Sequence, residues 1–213
     1  MNTFGRRDVL AAALGITAIL ALDVATQPGA FAQANVGAQA PAFTAADTNG
    51  RTVSLADLKG KTVVLEWTNH QCPYVGKHYR GNNMQALQKK WTAQNVVWLS
   101  VISSAPGTEG YVSAEQANKL TVERGAAPTA ILLDPKGTVG HAYGARTTPH
   151  MYIIAGDGKL LYAGGIDDKQ SAALDDLKSA KNFVDAALTE VAAGKPVSIT
   201  TARPYGCSVK YGP

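Results

Sequence analysis

The sequence predicts an α/β domain with a small mixed β-sheet and helices on both faces, and three observations point there. Thr62 to Thr68, TVVLEWT, is a β-rich run followed by a helical stretch, with only NHQCP after it and before the helix. A second apolar run and a second helical stretch repeat the alternation, which implies parallel pairing. A hairpin and an amphipathic helix then follow, so the order reads βαβ and then ββα.

Taken in order, Gln33 to Arg51 is rich in Ala, Gly and Asn and reads as an irregular lead-in lying across the domain. The strand Thr62 to Thr68 feeds a helix over Tyr74 to Ala93, and Val96 to Ile102, VVWLSVI, is a second buried strand. Ser113 to Arg124 is a helix with Ser113 as its cap and Gln116 three residues on, the spacing of a capping box. Thr129 to Leu133 is a third strand. After a short helical or turn segment, Met151 to Ile154 and Lys159 to Tyr162 pair across AGDG. Leu174 to Ala193 is a long helix, with Leu174, Leu177, Lys181, Val184, Leu188 and Val191 near helical spacing and Gly194 closing it. The domain is therefore expected over 33–194, with a tail of little regular structure over 195–213 that carries Cys207.

The chain has 213 residues, 46% hydrophobic and 17% charged, an ordinary globular composition too apolar to remain disordered. After removal of an export segment, about 180 residues remain, enough for one domain with a sizeable core. The net charge of +4 sits wholly on that domain, because Arg6 and Arg7 are offset by Asp8 and Asp23. Its basic residues are interspersed with acids and form no block or stripe, so no nucleic-acid partner is expected.

Met1 to Ala32 has the parts of a secretory signal peptide: Arg6-Arg7, an apolar stretch from Val9 to Leu22, and small residues at Ala30-Phe31-Ala32. The apolar stretch is shorter than the roughly 20 residues a spanning helix needs, so cleavage is expected, leaving no stable membrane anchor. The arginine pair followed by Asp8, Val9 and Leu10 fits a twin-arginine signal, with Gly5 where Ser or Thr is usual. Cleavage is expected after Ala32, with Ala34 as the second choice, and the destination is periplasmic or otherwise extracytoplasmic.

Cys72 lies between a buried strand and a helix start, where unpaired backbone N–H groups and the positive end of the helix dipole favour thiolate. Pro73 suits the first helical position, which makes Cys72 the cap. A lone cysteine is also commonly a small buried hydrophobe. The oxidising destination and a second cysteine, Cys207, weigh toward redox chemistry. A purely structural disulfide closing so long a loop, worth about 5 kcal/mol in the chain-entropy model, stays open beside it.

LEWTNHQCPYV, the later TTPHMYII and the hairpin GDGKLLYAGG resemble the thioredoxin-like superfamily over roughly residues 40–192. That superfamily includes peroxiredoxins and thiol–disulfide oxidoreductases. The resemblance implies a thioredoxin fold, with a mixed central sheet flanked by helices. It also implies that Pro149 is a cis-proline facing Cys72 and that Thr148 offers its backbone to substrate. Within the superfamily, CPYV at the helix start and Gly206-Cys207-Ser208-Val209-Lys210 resemble a peroxiredoxin-like branch, the alkyl hydroperoxide reductase/thiol-specific antioxidant redoxins. That likeness implies that Cys207 reaches back to Cys72 as a resolving cysteine, or that the tail is simply pinned in place.

The departures from the family pattern are specific. Val75 stands where a CxxC site has its second cysteine. Leu65 and Asn69 stand where peroxiredoxins usually place Pro and Thr, Thr68 is one position off, and Pro149 occupies the approximate place of the peroxide-polarising arginine. Arg146 and Arg80 are the possible substitutes. Of His70, His78 and His150, each of which has an ordinary structural role open to it, His150 beside the proline is the choice for a base or a thiolate partner. No HxxxH, CxxC or CxxxH spacing occurs, so no metal or other cofactor is expected. Trp67, Trp91 and Trp98 read as core aromatics.

The expected function is thiol chemistry. Cys72 attacks a protein or small-molecule disulfide, or a peroxide, Cys207 resolves the adduct, and a thiol reductant restores both. Disulfide exchange is favoured over peroxidase activity because the polarising donors are replaced. The alternative is a non-catalytic binding module with a structural Cys72–Cys207 disulfide.

Overall fold

The computed structural model describes Met1 and residues 34–213. The expected signal peptide over 1–32 and its cleavage at Ala32 lie outside the described residues, Met1 apart. The strands are β1 (Thr44–Asp47), β2 (Thr52–Ser54), β3 (Val63–Trp67), β4 (Val97–Ile102), β5 (Ala130–Leu133), β6 (Thr147–Thr148), β7 (His150–Ile154), β8 (Leu160–Gly164) and β9 (Cys207–Ser208). The helices are α1 (Pro73–Arg80), α2 (Asn83–Thr92), α3 (Ala114–Glu123), α4 (Thr138–Tyr143) and α5 (Phe183–Ala192), with 3-10 turns at Leu55–Leu58 and Leu174–Lys178.

Seven strands form one sheet in the order β2-β1-β5-β4-β3-β7-β8. β3 runs parallel to β4, and β4 to β5, as the two strand-to-helix crossovers require. β7 is antiparallel to β3 and β8 is antiparallel to β7. All five residues of β3 are buried, and they alternate between two cores. Val64 joins Met84, Trp98, Met151 and Val184 on one face, and Val63, Leu65 and Trp67 join Leu99, Tyr143 and Tyr152 on the other. Each such side chain taken from water stabilises the fold by about 1.5–3 kcal/mol, and this two-sided burial fixes where the C-terminal end of β3 delivers the chain.

Four elements differ from the sequence expectation. The lead-in supplies β1, an outer strand pairing with β5 and β2, held at its turn by the Asp47 carboxylate, which accepts from the Asn49 and Arg51 amides at 2.8 Å each. The helix expected over Tyr74 to Ala93 is two helices, because Gly81 lies tight against Leu177, whose Cδ1 a Cβ there would meet at 2.2 Å, and Asn82 turns left-handed at φ 54°. The helix expected over Leu174 to Ala193 is a 3-10 turn and then α5. Between them Lys181 O accepts the Asp168 amide at 3.3 Å and the Phe183 amide donates to Ile166 O at 2.9 Å, which sets Asn182 opposite Asp167. The Asn182 side chain caps α5 through the Asp185 amide. The tail is not free of structure: β9 pairs antiparallel with β6, and the Ala163 amide donates to Thr200 O.

Candidate active site

Buried β3 ends at Trp67, and after residues 68–72 the chain enters α1 at Pro73. Asn69 shapes the turn: its Oδ1 accepts the Gln71 amide at 2.8 Å and its carbonyl accepts the Cys72 amide at 3.2 Å. Cys72 has extended backbone angles (φ −72°, ψ 123°) and is the N-cap of α1, with Pro73 at the first helical position. Only 1% of Cys72 is exposed, and its thiol donates to Thr148 O at 3.1 Å.

Thr148 is the meeting point. The Thr148–Pro149 peptide bond is cis. On its other side β6 pairs with β9 in the register Thr147 to Ser208 and Thr148 to Cys207, with Thr148 Oγ1 3.5 Å from Cys207 O. Gly206 permits this approach, for its φ is +123° and a Cβ there would lie 2.1 Å from Thr148 O. Cys72 and Cys207 are both free thiols. Partial burial pushes the Cys207 thiol up to about 12, helped by hydrogen bonding to Cys72 and by its charge. Cys72, Thr148, Pro149 and Cys207 thus lie together.

His150 sits on β7 opposite Trp67, and its ring faces inward. Its Nδ1 accepts the Arg146 amide at 3.3 Å and lies 3.2 Å from Tyr152 Oη, so the ring proton is on Nε2. Burial, then the Arg146 charge, lowers it to about 4, which leaves it neutral near pH 7. Among the described residues its hydrogen bonds go to Arg146 and Tyr152 and not to either sulfur. Asn69, in the place of the usual threonine, donates to Glu109 Oε1 at 3.3 Å. Beside the site a groove of about 520 Å³ is lined by His70, Gln71, Cys72, Arg80 and Arg124, among others. Arg124 donates to His70 O at 2.8 Å.

Two buried polar clusters flank the cysteines, and neither was expected. Lys77 and His78 on α1, with Asp167 after β8, surround the hydroxyl of Tyr205, two residues before Cys207. Tyr205 Oη donates to Asp167 Oδ1 and accepts from Lys77 Nζ at 3.2 Å and His78 Nε2 at 3.1 Å. Asn83 donates to His78 Nδ1 at 2.8 Å, which places the ring proton on Nε2. Burial, then the Lys77 charge, lowers His78 to about 3, while burial lowers Lys77 against the pull of Asp167, whose Oδ2 lies 3.6 Å away. The second cluster centres on Glu66, wholly buried in β3. It accepts from Tyr79 Oη at 2.8 Å, Trp98 Nε1 at 2.8 Å, Gln88 Nε2 at 3.0 Å and Ser100 Oγ at 3.1 Å. Burial raises its carboxyl in spite of those donors.

A cysteine capping the helix after the central strand, facing an X–Pro turn at the start of the next antiparallel strand, defines a thioredoxin-like protein. The family model described as AhpC/TSA matches residues 36–163, and the chain belongs to that family. The match ends before the tail, so Cys207 lies outside it. The thiol-disulfide oxidoreductase ResA of Bacillus subtilis (strain 168) is 26% identical over 132 residues, 59% of this chain and 64% of ResA. This chain therefore spans less than two thirds of that relative. Among solved structures, an uncharacterized conserved protein from Geobacillus kaustophilus is similar at 27% identity and TM-score 0.71, covering 84% of this chain and 93% of its own. A Chlorobium tepidum protein provisionally named thiol:disulfide interchange protein DsbE shares the fold, at 24% identity and TM-score 0.50, over 62% of this chain and 85% of its own. The chain is thus a thioredoxin-fold protein of the redoxin branch, of the kind that includes thiol-disulfide oxidoreductases.

Proposed function

We propose that this is an exported, extracytoplasmic thiol–disulfide oxidoreductase in which Cys72 is the nucleophile and Cys207 the resolving thiol. The observation that carries the reading is the convergence of both cysteines on Thr148, Cys72 through its thiol's hydrogen bond and Cys207 through the strand register, with the two thiols in hydrogen-bonding reach of each other. Cys72, as thiolate, attacks one sulfur of a disulfide RS–SR. A Cys72–SR bond forms, the S–S bond breaks, and RS⁻ leaves and takes a proton. Cys207 then gives up its proton and attacks the Cys72 sulfur, which closes Cys72–Cys207 and expels the second RS⁻. One disulfide is reduced by two electrons and two thiols are oxidised, and an external dithiol reverses the change. Cys72 is the attacking group in this reading, because it caps α1 and lines the groove beside the site, while the Cys207 thiol is held protonated.

Disulfide exchange is the favoured reaction over peroxide reduction. A peroxide O–O bond needs donors beside the thiolate, and Asn69 is turned to Glu109 while Pro149 offers no N–H. The leaving thiolate of a disulfide needs no such help. The test compares second-order rates of the reduced protein with a small aromatic disulfide and with hydrogen peroxide, using Cys72→Ser as the blank. Disulfide exchange well above a free thiol, with peroxide consumption no faster than one, is expected. Fast peroxide consumption with little exchange would return the protein to the peroxidases. Export predicts a mature N-terminus at Gln33 or Asn35, and Arg6→Lys with Arg7→Lys should block export if the route is twin-arginine. Recovery of the exported protein with Met1 intact would contradict cleavage.

A further inference from the structure

We infer that the C-terminal strap makes Cys72 selective for low-molecular-weight disulfides over extended polypeptides, by occupying the backbone edge at Thr148 that a polypeptide would have to pair with. The inference rests on the reading of Cys72 as nucleophile. An extended chain adds to an exposed strand through that strand's N–H and C=O groups. At β6 those groups already face β9, in the register Thr147 to Ser208 and Thr148 to Cys207, and Gly206 brings the strap backbone too close for anything to pass between.

The strap is fastened on both sides of Cys207. Upstream, Tyr205 enters the buried Lys77–His78–Asp167 cluster. Downstream, the Val209 amide donates to Arg146 O at 3.0 Å and Lys210 O accepts the Ala105 amide at 2.8 Å. Tyr211 then lies over α4, stacked on His141 at 4.0 Å with its hydroxyl donating to Ala145 O at 2.7 Å. Glycine at 137 and 140 makes that seat, since a Cβ at either position would meet the Tyr211 ring or hydroxyl within 2.6 Å. A polypeptide substrate must undo these contacts before it can pair with Thr148. A small disulfide has a shorter path, because the groove lined by His70, Gln71, Cys72 and Arg80 includes no residue of the strap or of β6, and only the local cover that leaves Cys72 1% exposed has to open.

The experiment uses the reduced mature protein and first-turnover rates. The probes are hydroxyethyl disulfide and an unfolded polypeptide carrying a single disulfide, each rate divided by that of free glutathione with the same probe. The expected enhancement is at least tenfold greater for the small disulfide than for the polypeptide. Tyr211→Ala, and separately Val209→Pro, which removes the amide that Arg146 O accepts, loosen the strap, as faster hydrogen exchange at Cys207 and Ser208 will report. Each should raise the polypeptide rate at least tenfold and leave the small-disulfide rate within threefold. Equal enhancement for both probes in the wild type, or an unchanged polypeptide rate once the strap is loose, would overturn the inference. Reaction with neither probe above the Cys72→Ser blank would instead overturn the reading of Cys72.

Discussion

Replacing Tyr205 with Phe removes one oxygen from a site where three groups depend on it. The ring can stay in its buried place against Tyr74, so the change is confined to hydrogen bonding. Asp167 Oδ1 loses the hydroxyl donor but keeps the Lys169 amide at 3.0 Å. Lys77 Nζ keeps Lys169 O at 2.7 Å and its ion pair with Asp167. His78 Nε2–H loses its close acceptor, and with the ring buried no water replaces it. A hydrogen bond to a charged group contributes about 1.5–3 kcal/mol, and an orphaned buried donor costs about 1–3 kcal/mol. These losses overlap, and a total of about 3 kcal/mol is expected. The assay is urea denaturation of reduced wild type and variant, with m-values compared so that a shift in midpoint reads as stability. The loss should be smaller when Tyr205→Phe is made in an Asp167→Asn, Lys77→Met background, where the hydrogen bonds to charged partners are gone and the orphaned His78 donor remains. A loss below about 1 kcal/mol, or full additivity in that background, would refute the claim that this hydroxyl ties the strap to α1.

Other expectations follow from the same chemistry. Glu66→Leu strands four buried donors and should destabilise by about 3–5 kcal/mol, whereas Glu66→Gln, which can turn the Tyr79 hydroxyl into its acceptor, should cost about 1 kcal/mol; equal costs would contradict the network. His150, held near 4 when folded, takes up a proton on unfolding below its ordinary value of about 6.5, so stability falls as pH drops from 6.5 toward 4 by up to about 1.4 kcal/mol per pH unit. His78 acts in the same direction, and the raised carboxyl of Glu66 opposes both. His150→Gln should flatten the measured slope by about that single-histidine amount, and an unaltered slope would contradict its neutral burial. Cys207, pushed up to about 12, should be alkylated at pH 8 at least tenfold more slowly than a free thiol in reduced Cys72→Ser if burial dominates; an ordinary rate there would assign the shift to Cys72 alone.

Much of the sheet was legible because β3, β4 and β5 are continuous apolar runs punctuated by turn residues, and a parallel strand buried on both faces has that signature. Ser113 and Gln116 marked α3 to the residue, and the capping box is present in full. β1 was not legible, since TAAD has weak strand propensity and owes its conformation to pairing with β5 and to the Asp47 turn. The breaks at Gly81–Asn82 and Ser179–Asn182 are tertiary: Leu177 presses on the first, and the Ile166–Asp168 backbone holds the second. At the site, Cys72 could be read from Pro73 and the strand before it, because capping is local. Lys77 could not, because a lysine four residues after Pro73 looks like a helix surface until Asp167 and Tyr205 arrive from distant parts of the chain. Spacing within α1 offered one hint, since Lys77 shares the inward face with His78, both of them flanked by buried Val75 and Tyr79. Glu66 sat in plain view within VVLEW, and its position in a fully buried strand was the signal that its carboxylate would need partners.

The central claim is that Cys72 and Cys207 form one reaction unit, and disulfide mapping after a single oxidising turnover tests it most directly. The reduced mature protein is mixed with one equivalent of hydroxyethyl disulfide, quenched by acid and alkylation, and digested for mass spectrometry. The account predicts a Cys72–Cys207 cross-linked peptide in the wild type with no lasting hydroxyethylthio adduct, and an adduct that persists on Cys72 in Cys207→Ser. A wild-type protein that retains the adduct on Cys72, or whose two thiols both survive as alkylated cysteines, would contradict it.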